Sequence, residues 1–245
     1  MLTVTRPEHE TLQGNCLTSC IPLREILLYH GRNRTRDKGV FVDYSTASRK
    51  IGIAAIVNNL TRTTPLSDIS VNDIAEQSGI SRATFYRIFP DRASVVTETS
   101  ELVFRLGAGR IGSVFTWHDG LLVSLSGIEL FWNMFRASRS TRPNTFTDAA
   151  GLNAHKQLLK ANLTARGVAV TERLDFQMSF YGSKEMDIIA QWVLSDNPMP
   201  KEQLVDLLVS CVPAELFAAS EIPESLGVVH ELDYASLIME ATKYL

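Results

Sequence analysis

Residues 71–89 read VNDIAEQSGISRATFYRIF, and this stretch decides the fold because it has the pattern of two short helices meeting at a sharp turn. Gly79 lies at the turn, where glycine most easily takes the left-handed conformation that ends a helix. Apolar side chains, and one small residue that permits close approach, stand where two crossed helices bury their facing sides: Ile74, Ala75, Ile80, Phe85 and Ile88. This spacing predicts a helix-turn-helix.

The residues around this stretch predict where its helices begin and end. Ser70 and Asp73 have the spacing of a capping box at the start of the first helix. The second helix is expected from Ser81 to about Phe89, and Asp91 can cap a fourth helix that continues through RASVVTETSELVFRLG. A preceding helix begins near residue 46, shows one apolar face through Ile53, Ile56 and Leu60, and is closed by Pro65.

The rest of the chain also reads as helix. The expected segments are 108–118, 120–139, 148–166, 170–194, 200–219 and 231–244, and no alternating strand pattern interrupts them. The predicted fold is therefore all-α, with an N-terminal three-helix head that contains the helix-turn-helix, joined to a larger C-terminal helical bundle. We predict three regions: a flexible extension over 1–44, the head over 45–105, and a C-terminal domain over 106–245.

Composition excludes several classes of protein. The chain has 245 residues, of which 45% are apolar and 21% charged, as in an ordinary soluble globular protein. It lacks an apolar run of the roughly 18–20 residues that span a bilayer, and its N-terminus lacks a secretory pattern, so we expect a cytoplasmic protein without membrane contact. Residues 1–105 carry a net charge of +2 and residues 106–245 a net charge of −5, which suits an anionic partner at the front.

No pattern of catalytic or metal-binding residues emerges. The three cysteines, Cys16, Cys20 and Cys211, do not have the number or spacing of a disulfide framework, and the five histidines are scattered. A Gly-rich phosphate loop, a metal-binding histidine pair and a nucleophile elbow are all missing from the sequence. We therefore expect neither an enzyme nor a metal or cofactor site.

The outward residues of the second helix point instead to nucleic acid. Ser81 caps the helix, Arg82 and Thr84 are placed to reach base edges or backbone, and Ala83 leaves room for a thymine methyl group. Tyr86 and Arg87 project toward the flanking backbone. Arg92 follows in the first turn of the next helix, where the helix dipole favours anions rather than a cation, so an external phosphate is a natural partner. The alternative is a hairpin whose arginines are merely solvated.

The stretch VNDIAEQSGISRATFYRIFPDRASVV resembles the N-terminal DNA-binding domain of TetR-family transcriptional regulators, and the resemblance covers roughly residues 46–105. It implies that the first three helices form a DNA-binding head and that the fourth connects the head to a larger helical domain. It also implies DNA contacts at Ser81, Arg82, Ala83, Thr84, Tyr86, Arg87 and Arg92, the last at a position usually held by Lys. Asn58 and Asn59 depart from the family pattern, which commonly has apolar residues there.

The resemblance further implies a homodimer with a small-molecule pocket in the C-terminal domain. Residues 176–194 and 201–219 are the candidate dimerisation helices; burial of the same side chains within one protomer is the alternative. Expected interface residues are Phe180, Gly182, Ile188, Trp192, Leu204 and Leu208. Aromatic and Met residues that could line a pocket, unless they are simply core, are Trp117, His118, Trp132, Met134, Phe176 and Tyr181.

Three functions follow from these observations. The first is a repressor that binds a double-stranded operator as a dimer and is released by a small-molecule effector. The second is a DNA-binding or protein-interaction dimer without ligand sensing. The third, a helical enzyme with a structural hairpin at its front, has no catalytic residues in its favour.

Overall fold

The computed structural model describes residues 44–141 and 149–223, and these residues fold entirely into helices and connecting segments. The described residues form the α-helices α1 (Tyr44–Leu60), α2 (Val71–Ser78), α3 (Arg82–Ile88), α4 (Arg92–Leu106), α5 (Trp117–Leu130), α6 (Trp132–Thr141), α7 (Ala149–Ala165), α8 (Glu172–Leu194), α9 (Lys201–Ser210) and α10 (Ala214–Ser220). A single 3₁₀ turn, Ala108–Arg110, follows α4. The described residues contain no β-strand, and the predicted all-α fold is confirmed.

The head consists of α1, α2 and α3, which pack around an apolar centre. The side chains buried there come from all three helices and from the loop that precedes α2: Ile53, Val57, Ile69, Ile74, Phe85 and Phe89. Ala75 is also buried, as expected at a close approach between α2 and α3, while Ile80 and Ile88 are half-buried at the edge of the cluster. The apolar positions identified in the sequence thus form one core, and they fix which face of α3 turns outward.

The predicted caps of α2, α3 and α4 agree with the structure, whereas α1 ends at Leu60 and not at the predicted Pro65. The Ser70 side chain accepts from the Asp73 N–H and the Asp73 carboxylate accepts from the Ser70 N–H, which completes a capping box. Gly79 ends α2 with φ 65° and ψ 22°, the left-handed conformation that disfavours residues with a Cβ. Ser81 caps α3 and Asp91 caps α4. Local sequence therefore sets the sharp angle between α2 and α3.

The body is built from α5 to α10 and is joined to the head through α4. Helix α4 contacts both α1 and α5, while α7 packs on α8, α6 on α8, and α9 on α5. The apolar cluster runs from the head into this bundle without a break, through side chains such as Val103, Trp117 and Leu121. Within residues 44–141 and 149–223, no single helix is long and apolar enough to cross a membrane. Helices α9 and α10 reach the necessary length and hydropathy only when they are taken together, and the angle between them is 108°.

Three of the predicted body helices have the wrong boundaries. Residues 108–118 are not one helix, because Gly112 has φ 77°, which is not a helical conformation. Gly112 also lies close to Ser220: a Cβ added at Gly112 would be 2.8 Å from the Ser220 carbonyl oxygen. Residues 120–139 are split between α5 and α6 at Phe131. Residues 200–219 are split because Pro213 lacks an N–H and disfavours a helical conformation in the residue before it. The predicted helix 231–244 and the extension 1–43 lie outside the described residues.

Asn58, one of the two departures from the family pattern, bonds the head to the body. Its side-chain Nδ2 donates to the Leu130 carbonyl oxygen at 3.2 Å, and its Oδ1 accepts from the Met134 N–H at 3.0 Å. These two backbone groups belong to the end of α5 and the start of α6, where helix termini leave such groups without intrahelical partners. The amide of Asn58 therefore replaces the two hydrogen bonds that the break at Phe131 removes, and Asn59 beside it is exposed.

Candidate nucleic-acid interface

Helix α3 has a buried face and an exposed face. Phe85, at the centre of the helix, and Phe89, its C-cap, are fully buried, with ring centroids 5.8 Å apart. On the other side, Arg82, Ala83, Tyr86 and Arg87 are exposed, and Thr84 is half-buried. Because the two phenylalanines anchor α3 in the head, the two arginines and the tyrosine are held toward solvent on a rigid support.

The start of α3 is fixed by two hydroxyl groups. The Ser81 Oγ accepts from the Thr84 N–H at 3.1 Å, and the two side-chain oxygens lie 3.0 Å apart in a further hydrogen bond. The first turn of α3 is thus locally closed, which gives Arg82 and Ala83 a defined position. Contacts of Ser81 and Thr84 with DNA remain a prediction.

Arg92 has a structural role that the sequence did not reveal. Its Nη1 donates to the Ser67 carbonyl oxygen at 2.8 Å and also to the Ile69 carbonyl oxygen. The start of α4 is thereby tied to the loop that leads into α2. A cation at a helix N-terminus is unfavourable, and for this reason the sequence suggested an external anion as its partner. In the structure, two carbonyl oxygens of the chain itself stabilise the Arg92 cation. Contact between Arg92 and a phosphate is a prediction that adds to this role.

Asp91 and Asp73, the two capping carboxylates of the head, are held in the ionised state. Hydrogen bonds from the Ser94 side chain and then its backbone N–H lower the pKa of Asp91. The Ser70 side chain and backbone N–H likewise lower the pKa of Asp73. Both carboxylates satisfy backbone N–H groups at helix starts, so near neutral pH the ends of α2 and α4 are stabilised by charge-assisted hydrogen bonds.

The predicted pocket residues do not form one group in the structure. Trp117, Met134 and Tyr181 are buried in the body. The Trp117 Nε1 donates to the Ser220 Oγ at 2.8 Å, and its ring meets the Tyr181 ring edge-on at 5.4 Å between centroids. The Tyr181 hydroxyl donates to the Leu208 carbonyl oxygen at 3.0 Å. These contacts are typical of a core with satisfied polar atoms.

The other three predicted pocket residues lie elsewhere. Trp132 is half-buried and packs edge-on against Trp192, with 4.8 Å between ring centroids. His118 is exposed, with its Nδ1 3.4 Å from Asp119 and its Nε2 3.7 Å from Asp206. Phe176 is 68% exposed. The placement of His118 and Phe176 in an interior pocket is therefore wrong, because both project from outward positions of α5 and α8.

The predicted dimer residues divide in the same way. Phe180 is 57% exposed and Ile188 is also exposed, on one side of α8. Four others are buried inside the protomer and are not available to a partner: Gly182, Trp192, Leu204 and Leu208. For these four the alternative of burial within the protomer is correct, because the buried faces of α8 and α9 pack against α6, α7 and α5.

The sequence analysis missed three ionisable side chains buried in the body, Arg139, His155 and Glu185. Burial lowers the pKa of His155 to about 4 and raises that of Glu185 to about 8. Burial lowers the pKa of Arg139 to about 10, which nearby Asp187 partly offsets. The available signal was the position of Glu185 within the apolar period of α8, between Tyr181 and Ile189.

Comparison with known proteins agrees with the helix-turn-helix. Residues 67–92, which cover α2, α3 and Arg92, match the helix-turn-helix domain of resolvase. The chain is 41% identical over 69 residues to the HTH-type transcriptional regulator EthR of Mycobacterium tuberculosis, covering 28% of this chain and 29% of that protein. It is 34% identical over 95 residues to EthR of Mycolicibacterium smegmatis, covering 38% of this chain and 44% of that protein. The likeness thus spans less than half of either relative.

A solved structure extends the likeness in fold to most of the chain. The dihydroxyacetone kinase operon activator DhaS superposes with a TM-score of 0.53 at 18% identity, over 71% of this chain and 98% of that one. This similarity concerns the arrangement of helices in head and body together. The sequence relatives are HTH-type transcriptional regulators, and their likeness covers 28% and 38% of this chain.

Proposed function

We propose that this chain is a TetR-family transcriptional regulator that binds specific duplex DNA through the exposed face of α3 and thereby regulates transcription in the cytoplasm. The observation that carries the proposal is the division of α3 into a face anchored by Phe85 and Phe89 and a face that presents Arg82, Tyr86 and Arg87. A short helix held in this way is suited to the major groove of B-DNA.

The exposed side chains match the chemistry of DNA. Arg82 can donate two hydrogen bonds to the O6 and N7 of a guanine, while Ala83 beside it allows the helix backbone to approach the bases. Arg87 and Tyr86, one turn further on, donate to phosphate oxygens, which fix the orientation of the protein without reading sequence. Arg92, bonded to the loop before α2, contributes positive charge next to the same surface.

A homodimer completes the proposal, because one seven-residue helix gives little affinity alone and two helices about 34 Å apart can read two half-sites. Its support is an apolar surface on the outward side of α8, where the exposed rings of Phe176 and Phe180 stack with centroids 6.3 Å apart. Ile188 continues this surface along the same helix, and Leu207 of α9 is also exposed. We propose that these side chains, rather than the buried ones, contact the second copy.

Regulation by a small molecule is the last part of the proposal. An effector bound in the body releases DNA only if it binds one arrangement of the two heads more tightly than the other. Its support is the direct bonding of head to body: Asn58 bridges α1 to the break between α5 and α6, and α4 packs on both α1 and α5. A shift of α5 or α6 around a ligand would therefore displace α1.

Selection of bound duplexes from a random pool by the full chain tests the proposal. We expect a two-fold-related site. Arg82→Ala should weaken binding to that site by about 1–3 kcal/mol and relax the preference at one base position in each half-site. The matched control is Arg105→Ala, an exposed arginine in the last turn of α4, which should bind as the parent does. Failure to enrich any duplex, or equal binding by Arg82→Ala and the parent, would refute the proposal.

A further inference from the structure

Two buried side chains in the body each have one polar atom without a hydrogen-bond partner among the described residues. His155 on α7 is 5% exposed and its Nδ1 has no partner, and Glu185 on α8 is 2% exposed and its Oε2 has no partner. A buried polar atom left unpaired destabilises a fold by about 1–3 kcal/mol. Such groups are few in native proteins and call for an explanation, for example a functional role or a bound water or ion. Neither side chain is used by the DNA-binding surface.

The described residues leave space at Gly182, next to His155. Apart from the backbone of α8 and the two residues adjacent to Gly182, they place one atom within 4 Å of a Cβ built at this buried glycine, the His155 Nδ1 at 3.7 Å. By contrast, a Cβ built at Gly120 would lie 2.5 Å from the Ile111 side chain, as expected of a glycine kept for close packing. Glu185 is three residues after Gly182, hence on the same face of α8. The space next to Gly182, called the gap below, therefore adjoins the His155 Nδ1 and lies on the side of α8 that carries Glu185.

Once Glu185 is ionised, each of the polar side chains near this gap offers a hydrogen-bond acceptor. An ionised Glu185 accepts only, and a neutral His155 offers one acceptor nitrogen. Tyr181 uses its proton on the Leu208 carbonyl oxygen, which leaves its own oxygen as an acceptor. Aromatic rings contact two of these residues: the Phe104 ring lies 4.2 Å from the His155 ring between centroids, and the Trp117 ring meets Tyr181 edge-on.

We propose that the gap beside Gly182 binds the ammonium group of a small organic amine, with Glu185 as its counter-ion, His155 as a hydrogen-bond acceptor and the aromatic rings around its apolar part. The role of this ligand as the effector of the regulator rests on the proposed function. The binding site itself does not. A positively charged ligand that is rich in hydrogen-bond donors satisfies both unpaired groups at once, whereas an anion could not pair with a Glu185 carboxylate.

The charge balance favours a cation. Burial keeps Glu185, with a pKa of about 8, protonated at pH 7, and keeps His155, with a pKa of about 4, neutral. On binding, Glu185 transfers its proton to the solvent buffer, and the resulting carboxylate pairs with the ammonium group. The charged groups of the neighbouring helices are engaged with one another: Arg139 with Asp187, Lys156 and Lys160 with Asp175, Lys184 with Asp187, and Arg173 with Glu215.

The test is isothermal titration of the full chain at pH 7 with three matched pairs of probes: cyclohexylamine and cyclohexanol, phenethylamine and 2-phenylethanol, tryptamine and tryptophol. We expect at least one amine to bind about tenfold more tightly than its alcohol, a difference of about 1.4 kcal/mol. Titration in two buffers of different ionisation enthalpy should show release of about one proton per amine bound, since Glu185 loses its proton. Phenylacetate should not bind.

Variants separate this site from a non-specific effect. Glu185→Gln keeps the shape of the side chain and should abolish both the preference for amine and the proton release, while Glu101→Gln, an exposed residue of α4, should change neither. Gly182→Leu should fill the gap and abolish binding of amine and alcohol alike. Far-ultraviolet circular dichroism confirms that each variant is folded. The proposal is overturned if no amine binds better than its alcohol, or if Glu185→Gln keeps the preference.

Selection of duplex DNA by the same preparation distinguishes the two proposals. Enrichment of a duplex without amine binding would overturn the ligand site and leave the DNA-binding function intact. Amine binding without any selected duplex would do the reverse. If both occur, adding the amine to the protein–DNA complex should weaken DNA binding by the parent chain but not by Glu185→Gln. If the amine does not weaken DNA binding by the parent chain either, it is not the effector.

Discussion

The head and the body place their polar side chains in opposite ways. Between Ile51 and Leu106 the buried polar residues are Ser78 and Thr99, whose hydroxyls each donate to a carbonyl oxygen one turn earlier, at 2.6 Å. The interior of the body instead includes Arg139, His155 and Glu185. The proposed DNA-binding site of the head lies on its surface, while the proposed ligand site of the body lies inside it. A surface pattern at helical spacing is readable in a sequence, whereas a single polar residue on a buried face, such as Glu185, gives a weaker signal.

The largest expected effect tests the rigid support of α3. Phe85→Ala removes a fully buried ring from the head core, which should lower the free energy of unfolding by about 3–5 kcal/mol. The matched control is its neighbour Tyr86→Ala, whose ring is 48% exposed, and which should change stability by less than about 0.5 kcal/mol while weakening DNA binding. Chemical denaturation measures both. Similar losses of stability in the two variants would contradict the two-faced helix.

A smaller effect tests the connection between the two regions. Asn58→Leu leaves the Leu130 carbonyl oxygen and the Met134 N–H unpaired, and should lower the free energy of unfolding by about 2–3 kcal/mol. Asn59→Leu, at the exposed neighbouring position, should have little effect on stability. Thermal unfolding of both variants checks this. Equal stability of the two would show that the amide of Asn58 does not join head and body.

The smallest effect concerns the buried acid of the body and depends on pH. Burial raises the pKa of Glu185 from 4.5 to about 8. Between these two pH values the folded chain keeps a proton on Glu185 that the unfolded chain has lost, so the free energy of unfolding falls as the pH rises. His155, with a pKa lowered from 6.5 to about 4, gives the opposite slope below pH 6.5, so the two effects largely cancel there.

A net fall should therefore appear between pH 6.5 and 8, amounting to about 1–2 kcal/mol. Glu185→Gln should abolish the fall, and Glu101→Gln should retain it. Urea denaturation at a series of pH values measures the slope. A flat profile in the parent chain, or a fall that persists in Glu185→Gln, would show that Glu185 is not buried in its acid form.

The sequence predicted the head more fully than the body, for a physical reason. Ser70, Gly79, Ser81 and Asp91 determine helix ends through hydrogen bonds and backbone conformations that span three or four residues, so local sequence is enough to locate them. The break at Phe131 depends instead on Asn58, which is 72 residues away from Leu130 in the chain. No local pattern shows such a long-range bond.

The same reason explains the mixed result for the body residues. Aromatic and apolar side chains at helical spacing identify a helix, but not which of its faces turns inward. Phe176 and Phe180 stack on the surface, whereas Trp192 and Gly182 on the same helix are buried. Which of these residues a partner or a ligand can reach is decided by the packing of α6, α7 and α10 on α8.

Hydroxyl-radical footprinting of the full chain, with and without a selected duplex, tests the central claim most directly. Tyr86 on α3 and Met199, between α8 and α9, are both exposed and carry reactive side chains, so they report on head and body in one experiment. If the outward face of α3 lies in the major groove, the duplex should strongly reduce oxidation of Tyr86 and leave that of Met199 unchanged. Equal oxidation of Tyr86 in the presence and absence of bound duplex would contradict the account.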